Sequence, residues 1–371
     1  MKYSTFLAAL AAITPICLPA QDSSIIRSTA RNSNRILVIG GGGARGAWGA
    51  GYAKYLTRMH GEPYKVAFGT STGSLMIPLI VTNEFDLLKT AYTSVTQKSI
   101  FNENPFSKKT GALKGFKAMK RILFGKKTFG ESKNLKGTIR EFMNRDMFNR
   151  IQQQRLEFVV TVVDFKTGQA EYKSSAEIPD YDNMVNWMWA SANQPIFMSY
   201  YEKDGHAYVD GGVMENVPLE YALQYALMHD QTEIDVIINK PKDPVLDKEF
   251  PNRKILKGLN RLIEFFTLEI RDDDLTIPEL QAQLANCIGT DTAMAASRSN
   301  EKSYRINFYY FPSDLFKKKL YEKELLFDKG RMLDMWTEGE NGAKDEQERS
   351  DLETMTVPKS VLESFLKRRK Q

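Results

Sequence analysis

The chain reads as an α/β protein, a three-layer arrangement of one sheet flanked by helices, and three observations carry that reading. Short β-branched runs recur along it, the first two stop abruptly at glycine, and helical patterns fill the intervals. The first run is Arg35-Ile36-Leu37-Val38-Ile39, ended by Gly40 to Gly43 as a buried parallel strand is. A helix is expected next, and its small residues Ala47, Gly49, Ala50, Gly51 and Ala53 would let it lie close to the sheet. Val66-Ala67-Phe68 is the second strand. It enters Gly69-Thr70-Ser71-Thr72-Gly73, and Leu75 to Ile80 then forms the apolar body of a helix. Further strands are expected at Phe158–Val163, His206–Val209, Ile234–Ile238 and Tyr304–Phe311. Beyond Phe311 the chain is charge-dense, with Glu338 to Glu353 largely acidic and polar and Lys367 to Lys370 basic, so a mostly helical outer extension is expected.

These features divide the chain into a signal peptide at 1–20, a polar linker at 21–34, a catalytic core at 35–240 and an extension at 241–371, partly packed on the core. In the signal peptide Lys2 supplies the positive start, Phe6 to Ile13 the apolar region and Leu18-Pro19-Ala20 the cleavage end. Leu18 is large for its position and Pro15 interrupts the apolar region, which leaves a buried N-terminal helix as the alternative. Export is expected, to the periplasm, the outer envelope or the exterior. Ile16 directly before Cys17 argues against lipidation. Cleavage after Ala20 leaves Cys287 alone, so no internal disulfide is expected.

With 42% hydrophobic and 26% charged residues among 371, the composition excludes a disordered or multi-spanning chain. Removing Lys2 with the signal lowers the net charge from +5 to +4, too mild to imply a nucleic-acid partner. No later stretch reaches the roughly 18 apolar residues of a membrane span.

The chemistry resides in three glycine-bracketed signatures. Gly41-Gly42-Gly43-Ala44-Arg45-Gly46 can turn backbone amides toward an oxyanion, with Gly42 and Gly43 best suited. Arg45 there either holds the loop and strengthens its positive field or is a solvated helix-start arginine. In G-x-S-x-G, Gly69 and Gly73 remove side chains where an elbow packs tightly, presenting Ser71 as a nucleophile. Asp210-Gly211-Gly212 places a carboxylate at a strand end, with two glycines that admit a neighbouring backbone. Gly41, Gly43 and Gly46 also match a dinucleotide-binding loop. That reading wants an acidic residue at the tip of the next strand, where this chain has Gly69-Thr70-Ser71, and Glu62 precedes the strand.

Only His60, His206 and His229 are available as bases. A triad of Ser71, Asp164 and His229 is conceivable in chain order, although His229 reads as a helix end and His60 as the end of a surface helix. Asp210 is the alternative base. A carboxylate with an ordinary pKa near ~4 is feeble toward serine, so it needs desolvation or a short Ser–Asp hydrogen bond.

These motifs resemble the patatin-like phospholipase family: the G-G-G-x-R-G loop at Gly41 to Gly46, G-x-S-x-G at Gly69 to Gly73, Ala190-Ser191-Ala192-Asn193-Gln194-Pro195, and Asp210 to Gly212 followed by Asn216 and Pro218. The likeness spans roughly residues 35 to 220. It implies a patatin-like fold, a Ser71–Asp210 dyad, an oxyanion hole at Gly41 to Gly46, no cofactor or metal, and phospholipid or another acyl-ester lipid as substrate. Gly40 stands where many members have Asp, and Asn193 and Gln194 lengthen the alanine-to-proline spacing. A histidine-dependent esterase on the same elbow and a non-catalytic secreted lipid-binding protein are the competing readings.

Between Glu103 and Glu131 there is no acidic residue, while eight lysines and arginines from Lys108 to Lys127 accumulate among Leu113, Phe116, Met119 and Leu123. The segment suits an anionic membrane surface; equally it suits a solvated basic helix with its apolar side on the core. Asp272-Asp273-Asp274 lacks the alternating ligands of a calcium loop. Trp187 and Trp189 are read as core or pocket wall.

Overall fold

A computed structural model describes residues 34–107, 113–242, 280, 301–316, 325–342 and 352–369. The signal peptide, nearly all of the linker, Lys108, Lys109, Asp272–Asp274, Cys17, Cys287 and Lys370 lie outside the described residues. In chain order the elements are β1 (Arg35–Ile39), α1 (Gly46–His60), β2 (Val66–Thr70), α2 (Thr72–Val81), α3 (Phe85–Ser94), α4 (Gln97–Ile100), α5 (Gly115–Leu123), α6 (Lys133–Phe142), α7 (Arg145–Gln153), β3 (Glu157–Asp164), β4 (Gln169–Ser174) and α8 (Tyr181–Ser191). They continue with β5 (Tyr201–Lys203), β6 (His206–Asp210), α9 (Leu219–Met228), β7 (Glu233–Ile238), β8 (Ser303–Tyr310), α10 (Ser313–Phe316), α11 (Lys329–Asn341), β9 (Leu352–Pro358) and α12 (Lys359–Arg369).

Among the described residues the strands form one nine-stranded mixed sheet in the order β5-β6-β3-β2-β1-β7-β8-β9, with β4 beside β3. Its centre, β3-β2-β1-β7-β8, is parallel, and its hydrophobic strands are buried on both faces as parallel strands require. Alternation along β1 and β7 sends Leu37, Ile39 and Ile237 to one apolar cluster and Ile36, Val38, Ile234 and Val236 to the other. The first cluster holds residues of α1, α2, α3, α6, α7, α8 and α11; the second holds those of α9 and α12. This is the three-layer α/β sandwich that the periodicity predicts, with a helical C-terminal region. That region also contributes β9, antiparallel to β8 along Ser303–Tyr309.

The edges of β3 position the site. Because β4 pairs along Val159–Asp164, it takes one edge of β3. The other edge is shared: β2 pairs up to Thr161, opposite Thr70, and β6 pairs from Val162, opposite Asp210. Since β2 runs parallel to β3 and β6 antiparallel, the C-terminal ends of β2 and β6 run into each other on that edge. The residue after Thr70 and the last residue of β6 therefore meet.

Among the small residues of α1, Gly51 faces a second helix rather than the sheet. A Cβ on Gly51 would lie 2.3 Å from the Trp336 carbonyl oxygen, and one on Gly339 would lie 2.1 Å from that of Trp48. Backbone contact between α1 and α11 thus depends on one glycine in each helix.

Candidate active site

Ser71 stands between β2 and α2 with φ 54° and ψ −122°, a conformation that costs a non-glycine residue about 1–3 kcal/mol and is held by its surroundings. Its amide donates to Ser191 Oγ at 3.0 Å, and its carbonyl accepts from Ser74 Oγ at 2.6 Å and from the Ser74 amide at 3.0 Å. The flanking glycines are steric necessities. A Cβ on Gly69 would meet the Gly73 carbonyl carbon at 2.6 Å, and one on Gly73 would meet the Ile39 oxygen at 2.3 Å, binding the elbow against β1.

Ser71 Oγ donates to Asp210 Oδ2 at 2.7 Å, across 139 positions of sequence. Asp210 is 3% exposed, its Oδ1 accepts from the Gly212 amide at 2.8 Å, and its own amide donates to the Asn193 carbonyl at 2.9 Å. A Cβ on Gly211 would strike the Thr161 oxygen at 2.5 Å, so the glycine after the carboxylate lets β6 close on β3.

The glycine loop divides its labour. Gly40 and Gly41 donate their amides to the carbonyls of Ile237 and Asn216, Gly46 donates to that of Gly43, and Arg45 donates its amide to that of Gly42. Among the described residues the amides of Gly42 and Gly43 make no such bond to a loop or strand carbonyl. Gly41 contributes by lacking a side chain, since its Cβ would lie 3.0 Å from Ser71 Cβ and 2.4 Å from Asn216 Oδ1. Gly46 is equally confined, with Thr72 Oγ1 2.4 Å from where its Cβ would be. Gly43 itself has φ 52°, which glycine adopts freely.

Of the two readings for Arg45, the structure supports the loop-holding one. The side chain is fully buried, and Nε donates to the Asn239 carbonyl at 2.7 Å while Asn239 Nδ2 donates to the Gly40 carbonyl at 2.9 Å. Asn239, just past β7, is thus a structural clamp on the loop, and no sequence motif singles it out. Ser191 and Asn193 lie in a stretch that matched by resemblance but carried no role; they hold the Ser71 amide and the Asp210 amide respectively. The lengthened spacing at Asn193 therefore falls where the loop grips β6. Asn193 Oδ1 in turn accepts from Ser132 Oγ at 2.5 Å, and Trp189 Nε1 donates to the Ser132 carbonyl. Trp187 and Trp189 are both buried, as core residues.

None of the three histidines hydrogen-bonds Ser71. His206 Nδ1 lies 2.8 Å from Asp164 Oδ2, His229 caps α9 with its ring stacked 4.0 Å from that of Tyr225, and His60 joins Arg35 and Asp235. The triad considered for Ser71, Asp164 and His229 does not assemble, because Asp164 is bound to the wrong histidine and His229 sits at the end of a helix. Burial pushes the Asp164 carboxyl up, yet the Lys166 amide, His206 and the Thr167 hydroxyl together hold it below the usual range. Among the described residues no cluster of three or more His, Cys, Asp or Glu is placed to hold a metal.

An apolar cavity has Gly43 of the loop and Thr72, the residue after Ser71, in its lining. Leu75, Leu79, Ile139, Phe142 and Met188 form its walls, with Phe327 and Met332 contributed by the C-terminal region. Tyr92 also lines it, donating its hydroxyl to the Thr72 carbonyl at 2.7 Å, and burial pushes that phenol well above its ordinary range.

A family model for patatin-like phospholipases matches residues 37–223, just over half of the chain, and so covers the loop, the elbow and the Asp-Gly-Gly turn. The chain belongs to the patatin-like phospholipase family. Among solved structures, the crystal structure of VipD from Legionella pneumophila is similar at 11% identity and a TM-score of 0.39, covering 87% of this chain and 68% of that one. No curated protein matches the chain. Membership makes this patatin-like phospholipase a lipid acyl hydrolase in general terms, with the mixed sheet and helical C-terminal region described above.

Proposed function

We propose that the protein hydrolyses fatty-acyl esters of phospholipids or lysophospholipids through a Ser71–Asp210 dyad and an acyl-enzyme. The observation that carries this reading is the 2.7 Å hydrogen bond from Ser71 Oγ to the buried Asp210 carboxylate, with two uncommitted glycine amides on the neighbouring loop. Asp210 takes the hydroxyl proton as Oγ attacks the ester carbonyl carbon. The carbonyl π pair moves onto oxygen, where the Gly42 and Gly43 amides receive it. Collapse breaks the bond to the alcohol, which leaves with the proton from Asp210. Water then attacks the acyl-enzyme, Asp210 accepts its proton, and return of that proton to Ser71 releases the fatty acid.

The apolar cavity supports a long-chain substrate. Its lining is largely aliphatic and aromatic and includes Gly43 of the loop and Thr72 next to Ser71, so a chain lying in it would bring its ester towards Ser71. The apparent secretory signal at residues 1–20 would deliver the enzyme to the periplasm, the outer envelope or the exterior, where phospholipid is at hand.

The test is product analysis by mass spectrometry on mixed phospholipids, with fluorophosphonate labelling in parallel. Wild type should release fatty acid and take the label, and Ser71→Ala should lose both, with kcat down by about 10³-fold or more. Full activity in Ser71→Ala would refute the proposal.

A further inference from the structure

Two adjacent helices, α5 and α6, have comparable apolar stripes, and the fold treats them differently. In α6, Leu135 and Ile139 are buried and line the cavity. In α5 the only buried residue is Ala118, while Phe116 is 87% exposed and Leu123 77%, with Met119, Ile122 and the following Phe124 also facing solvent. Phe116, Met119 and Leu123 recur at i, i+3 and i+7, so they form one outward stripe rather than scattered exceptions. Lys117, Lys120, Lys126 and Lys127 are exposed beside it, and no acidic residue lies between Glu103 and Glu131. The reading that puts the apolar side of this segment on the core therefore fails for α5.

We propose that α5 is the surface by which the enzyme docks on an anionic phospholipid bilayer, a reading that rests on the proposed lipid hydrolysis. Apolar side chains pointing outward with lysines alongside suit the acyl–headgroup boundary, where rings and aliphatic chains enter and ammonium groups meet lipid phosphates. The charge pattern selects this occupant over a neutral surface.

The helix is also tied to the catalytic pair by a short path. Arg121 Nε donates to the Thr128 carbonyl at 2.6 Å, the Phe129 amide to the Ile196 carbonyl at 2.7 Å, and Ser132 Oγ to Asn193 Oδ1 at 2.5 Å. Asn193 is the residue whose carbonyl holds the Asp210 amide.

The experiment uses the full chain carrying Ser71→Ala, so that lipid is bound without turnover, and measures cosedimentation with vesicles of phosphatidylcholine alone or mixed with phosphatidylglycerol. Binding is expected only with phosphatidylglycerol and should weaken with salt. Lys117→Gln combined with Lys120→Gln should reduce it by about thirty-fold, and Phe116→Ser combined with Leu123→Ser by at least as much. In the Ser71 background the same substitutions should depress hydrolysis of vesicle lipid, while turnover of a monomeric short-chain ester reports that the site is intact. Binding that ignores lipid charge or survives both pairs of substitutions overturns the docking surface. So does a dimer that the Phe116 and Leu123 changes convert to monomer without loss of vesicle binding, since the stripe would then cover a second copy. A protein that binds as expected yet hydrolyses no ester leaves the docking surface standing and defeats the proposed activity alone.

Discussion

Asp210 and Asp235 are both buried carboxylates on strands of one sheet, and their surroundings assign them opposite work. Asp210 has one oxygen on the Ser71 hydroxyl and the other on the Gly212 amide. Asp235, inside β7, is enclosed by the Arg35 guanidinium at 2.9 Å, His60 at 3.2 Å, the Tyr64 hydroxyl at 2.7 Å, Asn307 at 2.9 Å and Tyr309 at 3.3 Å. Burial pushes its carboxyl up, but His60 and Arg35 more than reverse that and hold it well below the usual range. Burial first, and then the carboxylate itself, push the Tyr64 and Tyr309 phenols up, keeping both as donors. A carboxylate so saturated cannot take a proton from a substrate or a serine. Burial alone therefore does not mark a base; under the proposed mechanism what distinguishes Asp210 is the oxygen it commits to the Ser71 hydroxyl.

The contrast breaks most visibly by removing one charge at a time. Asp210→Asn should cut kcat by about 10²–10⁴-fold while leaving the urea midpoint near that of wild type, as read by steady-state kinetics and fluorescence. If that variant keeps its activity, Asp210 is no base and the contrast fails. Asp235→Asn should do the reverse. It strands Arg35 against a neutral amide and should lower stability by about 3 kcal/mol in urea titrations, with turnover per folded molecule unchanged.

Acid sharpens the second half of the comparison. Because the folded-state carboxyl of Asp235 is depressed, its contribution is fully present above the unfolded value of about 4 and is lost as pH falls through the lower folded value. The stability gap between wild type and Asp235→Asn should therefore be constant near neutrality and close below about pH 4, measured by denaturant titrations across that range. The smallest effect is expected at the third paired aspartate. His206→Ala removes a partner of Asp164 and should leave ester turnover at about the wild-type level, because the pair lies outside the Ser71–Asp210 contact. A large loss there would return histidine to the chemistry.

Much of this was legible in the residues. Strands β1, β2, β3, β6, β7 and β8 stand where β-branched runs precede a break, and Ser71 and Asp210 announce themselves through glycines of which Gly69, Gly73 and Gly211 prove sterically required. β4 and β5 gave no such signal, for physical reasons. β4 is half-exposed and rich in charged and polar residues, and β5 has three residues. β9 lay in a charge-dense region dominated by helix. What sequence patterns could not show was that β2 and β6 share one edge of β3, since pairing register is a long-range property. Asn239, Ser191 and Asn193 were hidden for the same reason: each acts through contacts made far along the chain. The exposed stripe of α5 was hidden differently. Amphipathic spacing tells that a helix has an apolar side but not what covers it, and α6, with similar spacing, spends its own on the cavity.

The joint between Gly51 and Gly339 has a consequence for the order of events during synthesis. Phe327 and Met332, which complete the cavity wall, sit on a segment clasped to α1 through that joint and emerge more than a hundred residues after Asp210. A nascent chain that has already paired Ser71 with Asp210 still lacks one wall of its apolar cavity. If the cavity takes an acyl tail, as proposed above, that capacity would arrive only once this late helix had left the ribosome.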